Sequence, residues 1–186
     1  MAGNEGAHIV EKAYVHVYTG EGKGKTTAAL GLALRALGAG LDVYIGQFIK
    51  GMRYSEIATL ADLDRALGPG RLEMRQFGRG CFIGREPETA DYEYAQAGLA
   101  AARDAVMSED WDLVILDEVN VALAKGLLAE GEVLDLLERR PASVELVLTG
   151  RGAPGSILAR ADLVTEMRCV RHYYEAGVQA RDGIER

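Results

Sequence analysis

The sequence predicts a single α/β domain, a mostly parallel sheet of about six strands flanked by helices. Three observations predict it. Short apolar runs of strand type alternate with helix-type periodicity along the chain, an order that right-handed crossovers turn into a parallel sheet. Tyr18-Thr19-Gly20-Glu21-Gly22-Lys23-Gly24-Lys25-Thr26-Thr27 lies between a strand-type run and an Ala/Leu-rich run, the layout of a phosphate-binding P-loop. At 186 residues the chain suits one such domain and is short for two. Together these specify a P-loop NTPase-like (RecA-like) domain over residues 13–186, preceded by a flexible polar segment at 1–12.

Each element has a local reason. Ala13 to Tyr18 alternates apolar and polar residues as a strand does, and Thr26 to Leu37 is rich in strong helix formers. Asp42 to Phe48 reads as a second strand, ending in Ile49-Lys50-Gly51. Tyr54 to Leu67 is helical and is closed by the breaker Gly68-Pro69-Gly70. Arg71 to Phe77 alternates again, a third strand, followed by the glycine-rich loop Gly78 to Gly84. Ala90 to Met107 carries Ala95, Gly98, Leu99, Ala102, Ala105 and Val106 at helical spacing.

Asp112 to Leu116 is a buried-type strand ending in the acids Asp117 and Glu118. Helices are expected over Val119 to Leu128 and Glu132 to Arg139. Val144 to Thr149 is a fifth strand that runs into Gly150-Arg151-Gly152. A short helix after Pro154 leads to a sixth strand, Leu163 to Met167, and a tail, Arg168 to Arg186.

Composition excludes several classes. The chain is 48% hydrophobic and 26% charged, which is globular and not disordered. A net charge of −7 argues against nonspecific nucleic-acid binding, which needs a basic surface. No apolar run reaches membrane-spanning length, and the start lacks the basic-then-apolar order of a signal peptide. Cys81 and Cys169 imply no disulfide framework and no Cys/His spacing resembles a zinc site, so a reduced, cytoplasmic protein is expected.

The loop carries the chemistry. Glycines let successive backbone N–H groups curl around an anion, and the helix N-terminus adds its positive dipole end. Gly20, Glu21, Gly22, Lys23, Gly24, Lys25, Thr26 and Thr27 are therefore candidate ATP-binding residues, with Lys25 a mobile charge and the Thr26 hydroxyl a Mg²⁺ ligand. The usual G-x-x-x-x-G-K-[ST] spacing would require glycine at position 19, where this chain has Thr19. Asp117 and Glu118 have the form of a Walker B strand end, suited to holding Mg²⁺ opposite Thr26. Acids at a solvated helix start and Glu118 as a general base are the alternatives. Arg151 is placed to clamp a phosphate or to form a surface ion pair. His172 is a ligand contact or a structural histidine.

These residues resemble the P-loop type ATP:corrinoid adenosyltransferases. The likeness runs through Tyr18 to Ala29, Gln47-Phe48-Ile49-Lys50-Gly51, Leu116-Asp117-Glu118, Thr149-Gly150-Arg151-Gly152 and Ala161 to Met167. It ends in His172-Tyr173-Tyr174-Glu175-Ala176-Gly177-Val178-Gln179-Ala180-Arg181-Asp182-Gly183-Ile184-Glu185, which generic P-loop proteins lack. The resemblance implies that the cobalt of a reduced corrinoid attacks C5′ of ATP and expels triphosphate, forming adenosylcobalamin or an adenosylcobinamide-type product. Nucleotide binding reversed relative to ordinary P-loop enzymes is implied as well, and the family's shortened glycine pattern accounts for Thr19.

On this reading Lys23, Lys25 and the loop amides stabilise the departing triphosphate. Thr26 and Glu118 hold Mg²⁺ (or Mn²⁺), with Asp117 in support. Some members set an aromatic pair against the corrinoid, after the glycine at the position of Gly80. Here Cys81-Phe82-Ile83 follows, leaving Phe82 to remove the axial ligand or simply to fill a loop. The resemblance further implies a homodimer and an electron donor such as a flavoprotein. Two alternatives remain at this point, a P-loop ATPase or kinase that cleaves the β–γ bond and an ATP-regulated corrinoid carrier.

Overall fold

A computed structural model describes residues 12–52, 54–68, 70–80 and 86–185. Phe82, Cys81 and the segment at 1–11 lie outside the described residues. The elements run β1 (Val15–Thr19), α1 (Lys25–Gly38), β2 (Val43–Phe48), α2 (Ser55–Leu67), β3 (Leu72–Phe77), α3 (Thr89–Ser108) and β4 (Leu113–Asp117). Then follow α4 (Val119–Ala124), α5 (Glu130–Arg139), β5 (Glu145–Thr149), α6 (Gly155–Leu158) and β6 (Leu163–Glu166). A 3₁₀ turn, Tyr173–Ala176, sits in the tail.

The six strands form one sheet in the order β3-β2-β4-β5-β1-β6, and every pairing is parallel. Parallel central strands are buried on both faces, so they read as continuous apolar runs. In β4 the side chains divide accordingly. Leu113 and Ile115 join α1 and α2 on one face, with Ala29, Ala33, Leu37 and Leu60. Val114 and Leu116 join Leu99, Ala102, Val106, Val133 and Leu136 from α3 and α5 on the other. Gly98 lets α3 settle on the sheet, because a Cβ there would come within 2.8 Å of the Phe48 ring.

This order puts the glycine loop, the acid pair and Thr149 side by side at the carboxyl ends of β1, β4 and β5, where ligands of open α/β sheets bind.

Most expected boundaries shift by only one or two residues, and one helix end shifts by four. The helix expected to reach Leu128 stops at Ala124, because Gly126 takes φ +68 and turns the chain. Leu127 and Leu128 remain buried in the core beyond that turn, so the apolar pattern outlasts the helix. The next helix begins at Glu130, earlier than expected, with the Glu132 carboxylate accepting from the Ala129 N–H at 3.0 Å across its first turn.

Candidate active site

Asp117 is the hub of the site. It ends β4, is 1% exposed, and accepts four side-chain hydrogen bonds. Thr26 Oγ1 donates to Oδ1 at 2.9 Å and Thr149 Oγ1 to the same oxygen at 2.6 Å. Gln47 Nε2 donates to Oδ2 at 3.0 Å, and Lys50 Nζ at 2.8 Å. Gln76 in turn donates to Gln47 Oε1 at 3.1 Å, which orients the amide. A buried carboxylate is tolerable only when paired and hydrogen-bonded, and this one is both.

Glu118 follows in left-handed backbone, φ +62, with its N–H donating to Thr149 Oγ1 at 3.0 Å. Ile49, at the end of the neighbouring β2, also has positive φ, +54. Such conformations cost about 1–3 kcal/mol each in a residue with a Cβ and cluster at functional sites. Here they flank Asp117 on two adjacent strands and aim Lys50 and Glu118 into one space. Burial first, and then the Asp117 charge, raise the Glu118 carboxyl above its ordinary range. For Lys50, burial favours the neutral amine, but the charges of Asp117 and Glu118 outweigh it and raise its pKa.

The loop itself is pinned from outside. Gly20 takes φ +92, and a Cβ there would lie 2.5 Å from the Met167 carbonyl. At Gly22 the same carbonyl would be 2.7 Å away, and the Gly22 N–H donates to it at 2.6 Å. Met167 N–H donates to Thr19 O at 2.8 Å. The glycines therefore serve the seam between the loop and the end of β6 as well as any anion. Gly24, at φ +116, begins α1.

Lys25 turns back into this loop. Its ammonium donates to the carbonyls of Gly20 at 2.6 Å and Gly22 at 2.7 Å, and burial, then the nearby Arg151 charge, lower its pKa. Lys23 is exposed and donates to Ile184 O at 2.9 Å, tying the loop to the tail. Thr27 is exposed in the first turn of α1. Arg151 faces Glu21 across the loop at 3.5 Å, both largely exposed, a pair worth little in free energy.

The predicted residues other than Phe82, which lies outside the described residues, thus gather as one group around the loop. His172 stands apart in the tail, where its Nδ1 accepts from the Tyr174 N–H at 3.1 Å, a local structural role. The sequence marks Gln47, Lys50 and Thr149 as polar strand ends within runs that resemble the family, without giving any of them a specific role. Their signal was a polar residue closing an apolar strand at the ligand-binding edge, together with those runs.

Among the described residues no group of three or more His, Cys, Asp or Glu side chains converges as a metal site. A hydrated Mg²⁺ does not need one. The Thr26 hydroxyl with the Asp117 and Glu118 carboxylates is an all-oxygen donor set of the kind hard cations use, and an ammonium lies among the three.

Fold and site together define a P-loop nucleotide-binding protein. Comparison with known proteins narrows the class. The family described as ATP:corrinoid adenosyltransferase BtuR/CobO/CobP matches residues 11–186, and the chain belongs to it. A corrinoid adenosyltransferase of Pseudomonas aeruginosa is 36% identical over 94% of this chain and 84% of its own length. The corrinoid adenosyltransferase CobA of Salmonella typhimurium is 36% identical over 94% of this chain and 86% of its own. Among solved structures, a KaiC-like protein of Pyrococcus horikoshii superposes with a TM-score of 0.58 at 18% identity, covering 83% of this chain and 73% of that one. That likeness supports the sheet architecture alone. No helix among the described residues is long and apolar enough to cross a membrane.

Proposed function

We propose that this protein transfers the 5′-deoxyadenosyl group of ATP to the cobalt of a reduced corrinoid, giving adenosylcobalamin or an adenosylcobinamide-type product. The observation that carries the reading is membership of the family over residues 11–186, with the loop and Asp117 assembled as one site. The cobalt(I) electron pair forms the cobalt–carbon bond at C5′, the C5′–O bond breaks, and its electron pair leaves on triphosphate. Cobalt(I) is already a strong nucleophile, so no water or hydroxyl needs activation.

The work left to the protein is electrostatic and positional. Lys25, now spent on the carbonyls of Gly20 and Gly22, turns to the phosphates when they enter the loop. Lys23 and Arg151 add charge at the rim, and Arg151 gives up only a weak pair with Glu21 to do so. Thr26, Asp117 and Glu118 hold Mg²⁺ (or Mn²⁺), which when bound neutralises part of the charge on the leaving group. Phe82 is assigned removal of the corrinoid's axial ligand in this scheme. We further assign a cytoplasmic setting, a homodimer, and reduction of the corrinoid by a separate electron donor such as a flavoprotein.

Glu118 is the observation that favours a second reading. A half-buried carboxyl with a raised pKa beside the phosphate loop suits a base that activates water for β–γ cleavage. The test is an assay with ATP, Mg²⁺ and chemically reduced corrinoid, following the corrinoid spectrum for a cobalt–carbon bond. ATP turnover that depends on reduced corrinoid is the expected result. Corrinoid-independent ADP formation would establish the second reading, and tight binding of both ligands without a new bond would indicate a carrier.

A further inference from the structure

Lys50 stands in the place assigned above to the metal. Its ammonium donates to Thr26 Oγ1 at 3.1 Å and to Asp117 Oδ2 at 2.8 Å, and lies 4.0 Å from Glu118. Those are the same three side chains that a divalent ion would draw on. The lysine side chain is 15% exposed, and the Tyr54 ring lies 5.4 Å from its nitrogen.

The backbone on both sides is held. Ile49 precedes it at φ +54, with its N–H bonded to Phe77 O at 2.9 Å. Gly51 follows it, so close to the neighbouring loop that a Cβ would lie 2.2 Å from the Gly78 carbonyl. Only the side chain, with its four rotatable bonds, is free to carry the ammonium elsewhere.

We infer that Lys50 is a tethered cation that fills the metal seat of the nucleotide-free protein and is displaced by the metal–triphosphate complex. The inference rests on the reading of Thr26, Asp117 and Glu118 as the metal-holding group. Without the ammonium, Asp117 would keep its bonds from Thr26, Gln47 and Thr149, but its buried charge would act on the adjacent, half-buried Glu118 carboxylate with no cation bonded between them. The ammonium removes that repulsion and keeps Thr26 aligned. A free divalent ion must expel it with no new partner on offer, so metal alone binds weakly. Triphosphate supplies that partner, because its oxygens accept the displaced ammonium, so metal and nucleotide enter together. Lys50 is thus a positioning residue that couples the two ligands.

The test is Mn²⁺ binding to the full-length, nucleotide-free protein, read by the electron paramagnetic resonance signal of the free ion. Lys50→Met and Lys50→Gln remove the charge, and Lys50→Gln keeps a hydrogen-bond donor for Asp117 should Lys50→Met fail to fold. Each folded variant is expected to bind Mn²⁺ at least about tenfold more tightly than wild type, while the gain in Mn²⁺ affinity on adding ATP shrinks by a similar factor. Equal Mn²⁺ affinity in wild type and folded Lys50→Gln overturns the inference. Absence of Mn²⁺ binding from all three proteins, with ATP present, overturns both the inference and the metal assignment. Adenosyl transfer itself is judged separately, by its products.

Discussion

Two strands of this sheet carry similar sequences and lead opposite lives. β4 reads Leu113-Val114-Ile115-Leu116-Asp117 and β6 reads Leu163-Val164-Thr165-Glu166, each a short apolar run closed by an acid. Every residue of β4 is buried, and its acid is bonded to four side chains from β2, β5, α1 and the loop after β2. All four residues of β6 are exposed, Leu163 and Val164 by 43% and 48%. Place in the order β3-β2-β4-β5-β1-β6 makes the difference, since β4 has neighbours on both sides and helices on both faces while β6 closes an edge. The candidate site is built on the strand that the rest of the molecule immobilises. The edge strand instead lends its end, Met167, to pin the glycine loop.

The contrast is sharpest at the two acids. Asp117→Asn removes the carboxylate charge bonded to the buried Lys50 ammonium and leaves Glu118, at 4.0 Å, as its paired acid, and is expected to cost about 3 kcal/mol in chemical denaturation, the lower end for a broken buried pair. Glu166→Gln, on the exposed strand, is expected to stay within about 0.5 kcal/mol. Comparable losses from the two would break the comparison.

A similar magnitude is expected in catalysis. Lys25→Ala removes the charge proposed to meet the leaving triphosphate and should raise the barrier by about 3 kcal/mol, roughly a hundredfold in kcat. Near-normal turnover would show that the loop lysine is spent on Gly20 and Gly22 alone.

The apolar residues give the matched pair. Leu116→Ala should cost about 2–5 kcal/mol through the cavity it opens. Leu163→Ala should cost less than about 0.5 kcal/mol in a protein whose β6 stays open to solvent. A cost near that of Leu116→Ala, together with dependence on protein concentration, would show that a second copy covers β6, as the proposed homodimer allows.

The smallest effect belongs to the tail. Hydrogen bonds from Arg181 first, and from Tyr173, hold the Glu185 carboxyl at about 2, below its ordinary value near 4.5. A depressed acid contributes stability that is present above the unfolded value and is lost as pH falls from about 4.5 towards about 2. Proteolysis of the tail should therefore quicken over that window in wild type, and Glu185→Gln should flatten the change.

Much of this was legible in the sequence, for reasons that differ by residue. Leu113 to Leu116 announced a strand buried on both faces, and the loop declared its place between strand and helix, because both signals are local. Exposure of β6 was not legible, since an apolar run of that length serves a centre or an edge alike. Nor was the role of Lys50, whose partners Thr26 and Asp117 lie 24 and 67 residues away in the chain. Gly20 and Gly22 read as candidate phosphate-binding glycines, while their contact with Met167 depends on strand order, which periodicity does not reveal. Thr19 fits the same picture. It ends β1 as an ordinary strand residue, and the turn begins one position later at Gly20.

All of these residues bear on whether the loop grips triphosphate as a leaving group. Phosphorus NMR of the products formed from ATP, Mg²⁺ and chemically reduced corrinoid measures that directly. The expected result is intact triphosphate in step with the cobalt–carbon bond, and none without corrinoid. ADP and inorganic phosphate appearing in its place would contradict it.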